Sequence, residues 1–221
     1  EAEAAGVRIV TGDTKVVERG AADGVFVTTS GIGVIPPGRE LGAQRLQVGD
    51  VLLVNGALGD HGATILAARG DLALSTALQS DCQSLGHLMA AVLDAAPATR
   101  AARDATRGGV ASVLNELAQA AKVGIVIDET ALPLRAEVKG MCEILGLDPL
   151  YLANEGTLVL AVPADQADAA LAAMRSRPEG TAAVQIGRVI GEHPGQVRMT
   201  TLFGGSRIVD MLVGEQLPRI C

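Results

Sequence analysis

The feature that most constrains the fold is an alternation, from about residue 48 onwards, of short apolar runs with segments of helical periodicity. Apolar runs of about four to eight residues closed by Gly or Pro are typical of buried strands, as at 50–56, 124–129 and 157–163. Apolar residues that recur every three or four positions indicate an amphipathic helix at 108–122. The sequence has one Tyr, two Phe and no Trp, so we expect an aliphatic core in a layered α/β arrangement.

The pattern as a whole predicts an α+β chain with a mixed sheet and ferredoxin-like elements, and not a strictly doubly wound sheet. Further helices are predicted at 61–69, 84–96, 136–146 and 164–175, and further strands at 6–10, 24–35 and 182–190. The late segments QVRMT and RIVDMLV should form a hairpin around FGGS. Pro36–Pro37 and the connection after it place a domain boundary near residue 47. The predicted domains are therefore 1–47, 48–212 and a flexible tail at 213–221.

Charge and composition exclude several classes of function. A formal net charge of −7 and the absence of a Lys/Arg cluster argue against a nucleic-acid partner. No apolar run approaches the roughly 18 residues that a membrane helix needs. The opening EAEAAG does not resemble a signal peptide, and three cysteines with no zinc-type spacing fit a reducing compartment. We therefore expect a cytoplasmic location and no membrane partner.

The first candidate motif is TGDTK, residues 11–15, directly after an apolar run. Asp13 could hold Mg²⁺, which prefers hard oxygen ligands, and Lys15 could meet a phosphate as a point charge. The alternative is an Asx turn followed by a solvated lysine.

The second candidate motif is DATRGG, residues 104–109, which opens the amphipathic helix. Free N–H groups at a helix start attract anions, and Gly108 and Gly109 would let a phosphate approach the backbone closely. Asp104 could act through a bridging Mg²⁺. The alternative is a capped helix with Thr106 as the N-cap residue.

Two shorter motifs carry an acid or a histidine beside glycine. In Asn154-Glu155-Gly156 the carboxylate could serve as a general base, or it could simply cap a turn. In GDHG, residues 59–62, His61 and Asp60 could touch substrate or phosphate, although an N-capped helix start is the commoner explanation.

The last motif is the tail PRIC, which ends in Cys221. A prenylation signal would place its Cys four residues from the end, so this tail is not one. A thiol on the final residue of a flexible tail can reach other active sites, and its own carboxylate would oppose thiolate formation unless a partner activates it. The alternative is an accidental terminal Cys in an intracellular protein.

Taken in order, VTGDTKVVERG, GDVLLVNGALGDHGATIL, DATRGGV, ANEG and the terminal PRIC resemble the HypE family of hydrogenase maturation proteins, over residues 1–221. That family is related to aminoimidazole ribonucleotide synthetase, selenophosphate synthetase and thiamine monophosphate kinase. The resemblance implies an ATP-dependent lyase, a carbamoyl dehydratase. It would convert a carbamoyl group on the C-terminal cysteine to a thiocyanate, the source of the cyanide ligand of [NiFe]-hydrogenase iron.

The resemblance also implies roles for individual residues. Cys221 would be the carbamoyl acceptor, Glu155 the base, and Lys15 the group that holds the carbamoyl oxygen or the γ-phosphate. The residues implied to bind ATP are Asp13, Thr14, Thr106, Gly108, Gly109, Asn154 and His61, with Asp13 and Asp104 as Mg²⁺ ligands. The tail should alternate between docked and free states.

The implied partners are the carbamoyltransferase HypF, the HypC–HypD complex and a second copy of the full-length protein. Family members begin with a further part, so we expect residues 1–47 to be a remnant of an N-terminal ATP-binding domain. We also expect this chain alone to bind ATP poorly and to be inactive. Two alternatives are a small-molecule kinase or synthetase of the same superfamily, which would not need Cys221, and a non-catalytic binding module.

Overall fold

The computed structural model describes residues 2–69, 77–212 and 214, and it separates into two units, one ending at Glu40 and one beginning at Leu41. The second unit contains all the helices and strands of the described residues. Its strands are β1 Val51–Val54, β2 Ala101–Asp104, β3 Gly124–Asp128, β4 Leu158–Val162, β5 Val184–Ile190, β6 Val197–Thr200 and β7 Ser206–Val209. Its helices are α1 Asp60–Ala68, α2 Gly86–Ala95, α3 Gly109–Ala121, α4 Ala136–Leu145 and α5 Ala167–Arg175.

The seven strands form one mixed sheet in the order β2-β4-β1-β5-β3-β6-β7. Only the β3–β6 pair is parallel, and the other pairs are antiparallel. This confirms the predicted α+β class with a mixed sheet. The predicted hairpin of the last two strands is confirmed as well, with Val197 opposite Val209.

The interior strand β1 is buried on both faces of the sheet. Leu53 packs in a cluster with Leu88 of α2 and Met174 of α5, whereas Leu52 packs in another cluster with Leu114 of α3. Full burial of a leucine stabilises a fold by about 1.5–3 kcal/mol. Burial on both faces therefore explains why β1 is a continuous apolar run rather than an alternating one.

The helix and strand predictions after residue 50 are confirmed to within a few residues, but β2 was not predicted. Gly146 ends α4 in a left-handed conformation with φ 67°, as expected of a glycine at a helix end. None of the described helices is long and apolar enough to cross a membrane.

The strands predicted at 6–10 and 24–35 are wrong, because residues 2–40 form neither helix nor strand. Their apolar side chains are exposed, for example 84% for Val10 and 76% for Phe26. No strand among the described residues pairs with these segments, and an unpaired strand can neither satisfy its backbone groups nor bury one face. The compact unit begins a few residues before 47, and the three-part division of the chain stays a prediction.

Candidate functional site

Three of the predicted motifs lie together around the segment 150–157. The Gly62 N–H donates to the Ala153 carbonyl at 3.0 Å, so the start of α1 lies against this segment. The Asn154 N–H donates to the Ala105 carbonyl at 3.1 Å, and the Ala105 N–H donates to the Thr157 carbonyl at 3.0 Å. The loops that carry GDHG, DATRGG and ANEG therefore form one region at the ends of β1, β2 and β4.

The Asn154 side chain holds this region together from inside the protein. It is 1% exposed, and its Oδ1 accepts the Gly59 N–H at 2.7 Å. Its Nδ2 donates to the carbonyls of Ala105 and Leu152, both at 3.0 Å. Both amide hydrogens are thus used, so Asn154 could bind a cofactor through them only by giving up one of these bonds. Its predicted cofactor role stays a prediction.

Glu155 follows directly and is held by its backbone. Its N–H donates to Asp81 Oδ1 at 3.0 Å, while the Gly156 N–H and the Thr157 hydroxyl donate to Asp81 Oδ2 at 2.9 and 3.0 Å. The Glu155 side chain remains 28% exposed. The carboxylate of Asp81 therefore fixes the loop and leaves the carboxylate of Glu155 available for chemistry. Sequence reasoning missed Asp81, which lies in a polar loop without periodicity.

His61 lies between Glu155 and the loop 80–82. Its side chain is 10% exposed, and its Nε2 is 4.0 Å from Glu155 Oε1. Its Nδ1 lies 2.9 Å from Ser80 Oγ and 4.0 Å from the sulfur of Cys82. The Ser80 hydroxyl donates to that sulfur at 3.1 Å. Ser80 and Cys82 were also missed from the sequence, because nothing in their spacing marks them.

Asp60, next to His61, is a buried carboxyl paired with one cation. Its Oδ2 accepts from Arg135 Nε at 2.8 Å, and its Oδ1 is buried without a hydrogen-bond partner among the described residues. Burial raises the pKa of Asp60 above 3.8, although the hydrogen bond and charge of Arg135 act in the opposite direction. Asp60 is the first residue of α1, and Gly59 occupies the N-cap position with φ 81°.

A polar pocket of about 510 Å³ adjoins this cluster. Its lining includes Asp60, Arg135, Asp81, Cys82 and Thr157. A small polar ligand or a short peptide segment would fit in this volume.

The start of α3 has less free space around its backbone than the sequence indicates. Thr106 is not the N-cap, because its hydroxyl donates to Asp104 Oδ2 at 2.9 Å, while Gly108 occupies the N-cap position with φ 73°. A Cβ on Gly109 would lie 2.4 Å from the Leu150 carbonyl oxygen. The glycine at 109 is therefore required by packing, and the phosphate roles of Thr106, Gly108 and Gly109 stay predictions.

The remaining predicted site residues lie elsewhere or outside the described residues. Asp13, Thr14 and Lys15 lie in the unit 2–40 and are exposed. Cys221 lies outside the described residues. The roles predicted for these four residues stay predictions.

Metal binding can be tested against the side chains present. Within 2–69, 77–212 and 214, no three His, Cys, Asp or Glu residues are placed to hold one ion. The Asp104 side chain is 53% exposed, and its Oδ1 is 3.6 Å from Arg103. Asp104 fits the role of a single oxygen ligand to Mg²⁺, a metal that usually keeps waters and substrate phosphates as its other ligands.

Comparison with known proteins shows similarity to one family. Residues 47–200 match the family described as AIR synthase related protein, C-terminal domain. The chain is 75% identical over 221 residues to the carbamoyl dehydratase HypE of Rhodobacter capsulatus, covering all of this chain and 65% of that protein. It is thus slightly less than two thirds as long as this relative.

Two solved structures are similar as well. A HypE in a HypE–HypF complex has a TM-score of 0.89 at 44% identity, covering 95% of this chain and 68% of that one. A hydrogenase maturation protein HypE in complex with ATP has a TM-score of 0.87 at 41% identity, and the match covers 100% of this chain and 67% of that one. The chain therefore belongs to the HypE family, within the AIR synthase related proteins.

Proposed function

We propose that this chain is the larger part of a carbamoyl dehydratase that acts in hydrogenase maturation. The reaction is ATP-dependent dehydration of a carbamoyl group on Cys221 to a thiocyanate, which supplies the cyanide ligand of [NiFe]-hydrogenase iron. The name of the Rhodobacter capsulatus relative supports the activity, and the structure of a HypE with ATP supports the nucleotide.

The chemistry explains why ATP is needed. The carbamoyl oxygen is a poor leaving group, and transfer of the γ-phosphoryl group onto it creates a good one. Loss of both N–H protons and of the phosphate then gives S–C≡N. In total, R–S–C(=O)NH₂ and ATP⁴⁻ become R–S–C≡N, ADP³⁻ and H₂PO₄⁻, so oxygen, hydrogen and charge balance.

The observation that carries the proposal is the position of Glu155. Its backbone is clamped by Asp81 at 3.0 Å, while its side chain stays partly exposed beside the buried His61. A general base needs this combination of fixed geometry and access to substrate. We assign Glu155 as the base that removes protons from the carbamoyl nitrogen.

The phosphate-binding roles are assigned by family resemblance. Lys15 would hold the carbamoyl oxygen or the γ-phosphate, Asp13 and Thr14 would meet the nucleotide, and Asp104 would contribute one Mg²⁺ ligand. When bound, Mg²⁺ would neutralise charge on the transferring phosphoryl group. The proposed partners are HypF, which the HypE–HypF complex supports, the HypC–HypD complex and a second copy of the chain, all in the cytoplasm.

Intact mass spectrometry of the full-length protein tests the proposal. Incubation with HypF, carbamoyl phosphate and ATP should add one carbamoyl group to Cys221, and an ATP chase should then remove one water from the adduct. We expect Cys221→Ala to take no adduct and Glu155→Gln to keep the carbamoyl group. Glu143→Gln, an exposed glutamate on α4, is the matched control and should behave as wild type. Dehydration by Glu155→Gln at the wild-type rate would remove Glu155 from the mechanism.

A further inference from the structure

The loop that carries Glu155 has no partner strand of its own. β4 begins only at Leu158, so Glu155 and Gly156 lie outside the hydrogen-bond ladder of the sheet. Their N–H groups still need acceptors, because an unpaired backbone donor away from water costs stability. Both donate to one side chain, the carboxylate of Asp81, at 3.0 and 2.9 Å. The position of Glu155 therefore depends on a residue that lies 74 positions earlier in the chain.

Asp81 accepts three hydrogen bonds through its two carboxylate oxygens. Oδ1 accepts the Glu155 N–H, and Oδ2 accepts both the Gly156 N–H and the Thr157 hydroxyl, the latter at 3.0 Å. An asparagine side chain has the same shape, but it has one acceptor oxygen and an NH₂ group that only donates. In either orientation of Asp81→Asn, the N–H of Glu155 or that of Gly156 would therefore face another donor.

The loop of Asp81 also holds the carbonyl side of Gly156. Gln83 Nε2 donates to the Gly156 carbonyl at 2.9 Å, and the buried Asn55 donates to the same oxygen at 3.0 Å. A Cβ on Gly156 would overlap the Asp81 carbonyl oxygen, so the two loops can approach this closely only with glycine at 156. Both the donors and the acceptor of the loop around Glu155 are thus held by side chains from elsewhere in the chain.

We propose that Asp81 is a positioning residue for the dehydration and that it acts only through Glu155. This inference rests on the proposed function. A general base must lie within hydrogen-bond reach of the proton that it takes, and a misplacement of about 1 Å can cost about 10²-fold in rate. By accepting two successive N–H groups, Asp81 holds the Glu155 carboxylate where a proton can pass to it from the carbamoyl nitrogen. Asp81 itself needs no contact with the substrate.

Single substitutions in the full-length protein measure this dependence. The rate is the loss of water, on an ATP chase, from protein that HypF has already carbamoylated on Cys221. We expect Asp81→Asn to lower this rate by about 10- to 10²-fold with the KM for ATP unchanged. Asp81→Glu keeps both acceptor oxygens and should recover part of the loss, although it is the less isosteric change. Asp168→Asn, an exposed carboxylate on α5, is the control and should keep the wild-type rate.

The decisive comparison is made in a Glu155→Gln background. A residue that acts only through Glu155 has no base left to position there, so adding Asp81→Asn should lower the rate no further. Rates are expressed per folded molecule, as measured by urea unfolding, and Asp81→Glu serves in the same cycle where Asp81→Asn does not fold. A rate for Asp81→Asn within about twofold of wild type, or a further loss above about threefold in the double variant, overturns the proposal.

Hydrogen exchange provides a readout that needs no turnover. The amide hydrogens of Glu155 and Gly156 should exchange at least about tenfold faster in Asp81→Asn than in wild type, because an amide exchanges when its hydrogen bond opens. Glu155→Gln keeps both N–H groups and should leave their exchange unchanged. Exchange that Asp81→Asn does not alter would overturn the proposal. The expected exchange without any dehydration by the wild type would refute the proposed function, while Asp81 would still be shown to hold the loop.

Discussion

Replacement of Asn154 by alanine is the sharpest test of how the site is assembled. The side chain makes three hydrogen bonds, to Gly59, Ala105 and Leu152, from a position that is 1% exposed. At a net contribution of about 0.5–1.5 kcal/mol for each bond, Asn154→Ala should lower the free energy of unfolding by about 1.5–4.5 kcal/mol. The Gly59 N–H would be left buried and unpaired, which favours the upper half of that range.

Urea unfolding followed by circular dichroism measures this loss. With a typical slope of about 2 kcal/mol per molar, a loss of about 3 kcal/mol moves the midpoint down by about 1.5 M with the slope unchanged. The control is Asn115→Ala on α3, which removes two bonds, to the carbonyls of Ala111 and Val209 at 2.9 Å. Asn115→Ala should be destabilised less, because alanine is also the better helix former.

The two variants should also differ in activity per folded molecule of the full-length protein. Asn154→Ala should lower dehydration, since the loops of His61 and Glu155 lose their shared anchor, whereas Asn115→Ala should not. A loss of less than about 1 kcal/mol for Asn154→Ala, or equal activity of the two variants, would show that the loops are held by other contacts.

Two further predictions concern a glycine and two carboxyl groups. Gly109→Ala should lower the free energy of unfolding by about 2–5 kcal/mol, because the new Cβ would lie 2.4 Å from a carbonyl oxygen and the backbone has φ +60°. The control is Gly140→Ala, which has open space around it and should raise the free energy of unfolding by about 0.5–1 kcal/mol. Thermal unfolding of the two variants measures both effects. The folded-state pKa of Asp60 is raised above 3.8, chiefly by burial, so its contribution to stability is present below 3.8 and is lost as pH rises through the folded pKa. The pKa of Asp128 is lowered by hydrogen bonds from a neighbouring threonine, so its contribution is present above 3.8 and is lost as pH falls. Urea unfolding across acidic pH measures how the stability difference between each variant, Asp60→Asn or Asp128→Asn, and wild type changes with pH. The two differences should change with pH in opposite directions, and changes in the same direction would contradict these assignments.

Periodic elements could be predicted from the sequence because burial imposes their pattern. β1 is buried on both faces and reads as an unbroken apolar run, and α3 shows the three-four spacing of its buried stripe. β2 lacked such a signal. Its residues are Ala-Ala-Arg-Asp, it lies at the edge of the sheet, and Arg103 and Asp104 are exposed.

The site could be predicted only where a motif stands next to an element. His61 and Glu155 could be named as candidates from the sequence because glycines and strand ends flank them. Ser80, Asp81 and Cys82 were not, because their partners lie far along the chain, as in the bond between Asp81 and Glu155 across 74 residues. Contacts of this kind follow from the packing of loops and have no signature in local spacing.

The structure separates two kinds of chemistry along the chain. Glu155, the proposed base, lies in the compact unit that begins at Leu41, where Asp81 accepts its backbone N–H at 3.0 Å. The predicted phosphate-binding group Lys15 lies in the unit 2–40, whose apolar side chains are largely exposed, including Val10 at 84% and Phe26 at 76%. Exposed apolar side chains in this number fit a segment that packs against further protein. Turnover should therefore require the full-length protein, in which Lys15 can be held in place.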